Sequence, residues 1–256
     1  EIAAARDAFL VKPITAVRVR GATNDPTPLP PALITGENPS PGATTDYYLA
    51  APAQGAVTLE ILDKAGRVIR RYSSTDRVLD PDPARDPDAY DRICQKDPKA
   101  TDCNLPLYWA APSVALPTRA GMHRVTWDLR YDPIADERDD LGEDESGTGA
   151  VPHRTFPATD APWAPPGEYT VRLTASGKSY AQPLTLRLDP RVKLSAVALT
   201  QLNNLSKEMY DDAVKARAAY DKARAMRGRV ESSASGHAAA LGAQLDSLAP
   251  EAKEAA

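Results

Sequence analysis

Residues 120–130 read AGMHRVTWDLR, an alternating run that nevertheless carries a histidine, a tryptophan, an aspartate and two arginines. Period two places His123, Val125, Trp127 and Leu129 on one face and Arg124, Thr126, Asp128 and Arg130 on the other. One apolar and one polar face is the signature of a strand in an antiparallel sheet with a dry side and a wet side. A catalytic constellation needs its groups to converge, and the alternation separates them. The stretch therefore predicts scaffold, with Trp127 as a core anchor.

The same alternation recurs on both sides. In AVTLEILDKAGRVIRRYSS, Val57, Leu59 and Ile61 share a face while Thr58 and Glu60 point away, and Lys64-Ala65-Gly66 supplies a turn in which Gly66 is free to adopt positive φ. GEYTVRLTASGKSYAQPLTLRLDP gives the clearest hairpin, with Tyr169, Val171 and Leu173 on one arm and Leu184, Leu186 and Leu188 on the other, around Ser176-Gly177. Tyr169 is the second expected core anchor, because large aromatics on inward faces bury the most area. TTDYYLA after residue 43 adds a strand. FLVKPITAVRVR at residues 9–20 contains another strand-like run, and the proline-rich NDPTPLPPALITGENPSPGA then reads as extended linker.

Two segments interrupt the pattern. Residues 75–106 are dense in Asp and Pro, and residues 132–165 join an acidic run to a proline-rich one; both read as long surface loops. After Pro190 the period changes. From Ser195, a good N-cap, Leu199, Leu202, Leu205, Met209, Ala213, Ala216, Tyr220, Ala223, Met226 and Val230 recur at intervals of three and four, the stripe of an amphipathic helix. Gly228 and the SSASG segment at 232–236 are expected to break it. Leu241, Leu245 and Leu248 mark a shorter second helix ended by Pro250, which a short turn would bring back antiparallel. The alanines bury little area each, so the stripe is expected to lie against something else, either the sheets or an upstream domain.

The expected fold is mainly β: an antiparallel β-sandwich followed by a C-terminal α-helical hairpin. Its parts are an N-terminal strand and linker at 1–43, the sandwich at 44–190 and the hairpin at 191–256.

Composition agrees with this and narrows the function. Forty-two per cent apolar residues in 256 suffice for a core, and 24 prolines against 14 glycines imply stiffened loops between strands. A net charge of -4 with both signs mixed gives no basic stripe, so neither nucleic acid nor an anionic membrane is an expected partner. No run approaches the roughly 18 apolar residues of a membrane span. The start at Glu1 reads as a piece of a longer, exported polypeptide.

Cys94 and Cys103 stand in a polar loop with no second Cys/His cluster, so structural zinc is not expected. They are either two thiols or a local disulfide, and the disulfide is the expectation for an exported chain, stabilising by roughly 2.5–3 kcal/mol in the chain-entropy view. His123 has no nucleophile in a recognisable elbow and no pairing with His153 or His237 at ligand spacing. The acidic runs Asp136 to Asp140 and Glu143 to Glu145 lack the ligand order of a calcium loop and read as solvated charge. No catalytic residue, metal or cofactor is assigned.

Three stretches, VTLEILDKAGRVIRR, AGMHRVTWDLR and APPGEYTVRLTASGKSYAQPLTLRLDPR, resemble the immunoglobulin-like module of the flagellar hook-capping protein, where a "hydrophobic-x-I-x-D-x-x-G" hairpin precedes "W-D" and "P-x-G-x-Y". Together with KPITAVRVR, GENPSPGATTDYYL and a DPRV followed by a Leu/Gln-rich helix, the order is similar to the C-terminal region of large secreted bacterial proteins. Those carry an N-terminal BNR or sortilin-type β-propeller and are often labelled glycosyl hydrolase. The resemblance implies an immunoglobulin-like or fibronectin-like sandwich, a secreted or periplasmic location, and an upstream propeller of the same polypeptide as partner. It implies a non-catalytic structural or binding role, the alternative being an accessory part of a sialidase-like glycoside hydrolase that binds carbohydrate or a protein ligand. The Asp-box S-x-D-x-G-x-T-W of such propellers does not occur here, so no catalytic residue carries over.

Overall fold

The computed structural model describes residues 6–19, 34, 42–76, 92, 95–96, 115–134 and 161–231. Two compact units divide the chain, Glu1–Ala198 and Leu199–Ala256. Eight strands, all in the first unit, form two sheets, and one helix follows. The protein is mainly β.

Strand β1 (Ala8–Leu10) pairs antiparallel with β3 (Ala43–Leu49), which pairs antiparallel with β6 (Gly121–Trp127), giving a three-stranded sheet. The second sheet has five strands in the order β2 (Ala16–Arg18), β8 (Lys178–Leu188), β7 (Gly167–Ala175), β4 (Thr58–Leu62), β5 (Val68–Ser73). All its pairings are antiparallel except β2 with β8. Both sheets feed one core. Tyr47 and Leu49 from the first and Leu59, Ile61, Val171, Leu173, Leu184 and Leu186 from the second belong to the same buried cluster.

The N-terminal run departs from the single strand-like segment that the sequence suggests. It forms two short strands on either side of Pro13, one in each sheet. Proline cannot donate to a ladder, so pairing ends there and the chain crosses over. Leu10 and Ala16, the inward residue of each piece, are buried, and Gln182 donates from β8 to the Leu10 carbonyl at 3.1 Å. The segment therefore docks within its own unit, and the expectation that it serves an upstream domain gives way to this.

Both predicted hairpins form where their turn residues stand. Asp63 accepts at Oδ1 from the Ala65 and Arg67 amides (2.9 Å each), and Gly66 takes φ +78°. Ser176 and Gly177 both sit at positive φ (49° and 75°), which suits the twist of a two-residue hairpin. Opposite charges face each other across the ladders, Glu60 with Arg172 and Asp46 with Arg124, both at 2.8 Å. Pro183 lies inside β8, but β2 pairs only with Leu186 to Leu188, so the missing amide faces no strand there.

Arg124 also sets the acidity of its partner. Its hydrogen bonds hold the Asp46 carboxyl below the usual aspartate value of 3.8, against a smaller opposing effect of burial. A depressed carboxylate contributes stability above its unfolded pKa and loses it as pH falls through the folded one. Carboxyl NMR titration should find the Asp46 midpoint below 3.8 and moving upward in Arg124→Ala; an unmoved midpoint would refute the coupling.

The helix, α1, runs Ala196–Glu231 and opens as expected, with Ser195 Oγ accepting from the Ala198 amide at 3.1 Å. It passes through Gly228, where a break was expected. A single helical glycine costs only about 1 kcal/mol relative to alanine, too little to stop a helix of this length. Ion pairs at three- and four-residue spacing, such as Lys215–Asp212 and Arg217–Asp221, run along it. The expected second helix at Leu241 to Leu248, the Cys94–Cys103 pair, the acidic runs and most of both long loops lie outside the described residues.

Candidate functional site

Strand β6 and the turn after it hold the chemistry-bearing residues of AGMHRVTWDLR. Burial alternates as the sequence predicts: His123 and Trp127 are buried, Met122 and Arg124 exposed. His123 is 5% exposed, packs on the Tyr47 ring at a centroid distance of 5.0 Å, and places Nε2 2.6 Å from the Arg119 carbonyl. The carbonyl can only accept, so this nitrogen carries the proton. A ring held this way is a bolt between a loop and the core.

Trp127 and Tyr169 meet edge to face, centroids 5.4 Å apart, and join the two sheets. Each polar tip donates to a backbone carbonyl, Trp127 Nε1 to Arg130 at 2.8 Å and the Tyr169 hydroxyl to Pro165. Burial pushes the hydroxyl of Tyr169 well above the usual tyrosine range.

Beyond Trp127 the strand ends in a kink. Asp128 Oδ1 accepts from the Arg130 amide at 3.0 Å, and Leu129 between them sits at φ +65°, a left-handed conformation unusual for a bulky residue. The Leu129 side chain is buried and its carbonyl accepts from the Ala164 amide, so packing on both sides holds the strained backbone. The kink aims Arg130 at the segment 161–164. Its guanidinium lies 4.0 Å from the Trp163 ring centroid and donates to the Ala161 carbonyl at 2.7 Å. Arg18 from β2 approaches the same ring at 6.0 Å and donates to the Ala164 carbonyl.

A second cluster gathers on the edge strand. Arg70 in β5 lies 3.8 Å from Asp128, 3.9 Å from Asp132 and 4.9 Å from the Tyr72 ring centroid. Burial pushes Asp132 up and Tyr72 up to about 12. The Asp132 amide donates to the Ile69 carbonyl, and Asp132 Oδ1 accepts from the Arg71 amide. This carboxylate therefore continues the sheet edge, and the cluster ties the end of β6 to β5.

Neither Trp163 nor Arg70 was singled out by the sequence reading. Trp163 stands in a proline-rich run without periodicity, and Arg70 in VIRRYS looks like any solvated arginine. Among the described residues, no group of three or more His, Cys, Asp or Glu is placed to hold a metal ion, and no helix is long and apolar enough to cross a membrane. Scans of family models, curated proteins and solved structures return no match to this chain.

Proposed function

We propose that this chain is an immunoglobulin-like, non-catalytic structural or binding module belonging to a larger exported protein with an upstream β-propeller. The observation that carries the reading is that His123, Trp127, Asp128 and Arg130 each engage the backbone of their own unit. Side chains used to hold loops and strand ends are not available to a substrate.

The strand order supports the immunoglobulin-like reading. Taking β1, β3 and β6 as A, B and E, and β2, β8, β7, β4 and β5 as A′, G, F, C and C′, both sheets follow that topology, including a first strand split between them. A D strand would fall between β5 and β6, an interval mostly outside the described residues. The Tyr169 hydroxyl on the Pro165 carbonyl matches the tyrosine corner at the start of strand F. Trp127 comes from the E position where antibody domains use strand C, a departure in detail within the same architecture.

The purified chain is expected to turn over no sialoside, glucan or peptide. Turnover that survives repurification and disappears in a folded His123→Gln variant would overturn the proposal. One observation favours the accessory carbohydrate-binding alternative: Trp163 is 41% exposed beside two arginines. It is a lone aromatic on a loop, whereas sugar platforms use several. A tryptophan-fluorescence change on adding oligosaccharide that Trp163→Ala abolishes would establish that reading instead.

A further inference from the structure

We propose that helix α1 pairs antiparallel with α1 of a second copy of this chain. Within the helix no described residue is buried, and the large apolar side chains of its first half are open, Leu202 at 52%, Leu205 at 57% and Met209 at 66% exposed. Positions 199, 202, 209, 213, 216, 220 and 223 follow the alternating three-four spacing of a coiled-coil seam. Ser206 and Arg227 interrupt it, and at both places an apolar residue, Leu205 or Met226, stands one position earlier on the flank.

Charge chooses the partner and its direction. Residues 196–214 carry Lys207 against Glu208, Asp211 and Asp212, a net of -2; residues 215–231 carry six basic residues against Asp221 and Glu231, a net of +4. The helix dipole does not account for this division, because its influence fades within the first and last turns and Glu208 to Asp212 lie deep in the helix. Two parallel copies would set basic half against basic half and Arg227 against Arg227. Two antiparallel copies set each acidic half against a basic one.

The seam closes in that direction. Full antiparallel overlap places Met209 opposite Tyr220 of the second copy and Ala213 opposite Ala216, with Leu205 and Met226 meeting on the flank. The alanines fall at the centre, where small residues let the helix axes approach.

The chain's own C-terminal segment does not suffice as occupant. Leu241 to Leu248 would span about 12 Å as helix, against about 54 Å for the 36 residues of α1. Reached through the SSASG turn, it would lie along the basic half and leave Leu202, Leu205 and Met209 open.

Sedimentation equilibrium of the intact chain tests the proposal. The expected mass is twice that of one chain, falling by a factor of two in Leu205→Glu/Met209→Glu, whose exposed positions leave the sheets intact by circular dichroism. Reversing the acidic half (Glu208→Lys, Asp211→Lys, Asp212→Lys) or the basic half (Lys215→Glu, Lys222→Glu, Arg224→Glu) should each give monomer, and an equimolar mixture of the two should form a heterodimer. A monomeric wild-type chain overturns the proposal and leaves the face to an upstream domain. A dimer that survives Leu205→Glu/Met209→Glu, or charge variants that fail to recombine, overturns it as well.

Discussion

Trp127→Ala should destabilise the first unit by about 3–5 kcal/mol, the range for truncating a large core aromatic. Trp127 is 1% exposed and bridges the two sheets through Tyr169, so deletion leaves a cavity at the joint and costs the edge-to-face contact. It also removes the indole N–H from the Arg130 carbonyl, the one bond from the core to the kink after β6. Urea unfolding followed by far-UV circular dichroism should show a lowered midpoint with a similar slope. Trp163→Ala is the control. At 41% exposure it should cost under about 1 kcal/mol, as surface substitutions do. Equal losses at the two tryptophans would contradict the core assignment.

Gly42→Ala should be nearly as damaging, although it adds only a methyl group. Gly42 sits at φ +133°, where a Cβ would stand 2.2 Å from the Trp127 carbonyl oxygen and 2.9 Å from Cγ2 of Thr126. The oxygen belongs to the backbone of β6, paired with β3 at Ala43, so it cannot move without opening the ladder. Backbone strain at such a φ is worth on the order of 1–3 kcal/mol by itself, and the overlap adds to it, for an expected total of about 3 kcal/mol or more. Gly121→Ala separates the two contributions. It too has positive φ, +118°, but a Cβ there meets nothing within 4 Å, so only strain applies. If Gly42→Ala is no worse than Gly121→Ala in the same unfolding experiment, close approach to Trp127 is not what requires glycine.

The contrast between these sites shows which parts of the fold were legible. Trp127 was readable because strand periodicity is local: alternate side chains point the same way whatever the strand pairs with, and an apolar face must be buried. The inward sets Val57/Leu59/Ile61 and Tyr169/Val171/Leu173 follow the same logic, and all six are at most 7% exposed. Both hairpin turns and the Ser195 cap were readable because their residue types satisfy backbone groups a few positions away. Gly42 was not readable. Its sequence context, SPGATTD, marks an ordinary loop, and the demand for glycine comes from a carbonyl 85 residues further along the chain.

The candidate site divides in the same way. Sequence by itself determined the elements, their inward faces and the separation of His123 from Arg124 and of Trp127 from Asp128, since each follows from backbone geometry over a few residues. Only the tertiary structure decided that the N-terminal run splits at Pro13 between two sheets, that Leu129 takes a left-handed turn, and that Arg130 stacks on Trp163. Those outcomes depend on which distant strands and loops pair, and the energy of a non-local pairing is shared between two segments, neither of which carries a signature of the other.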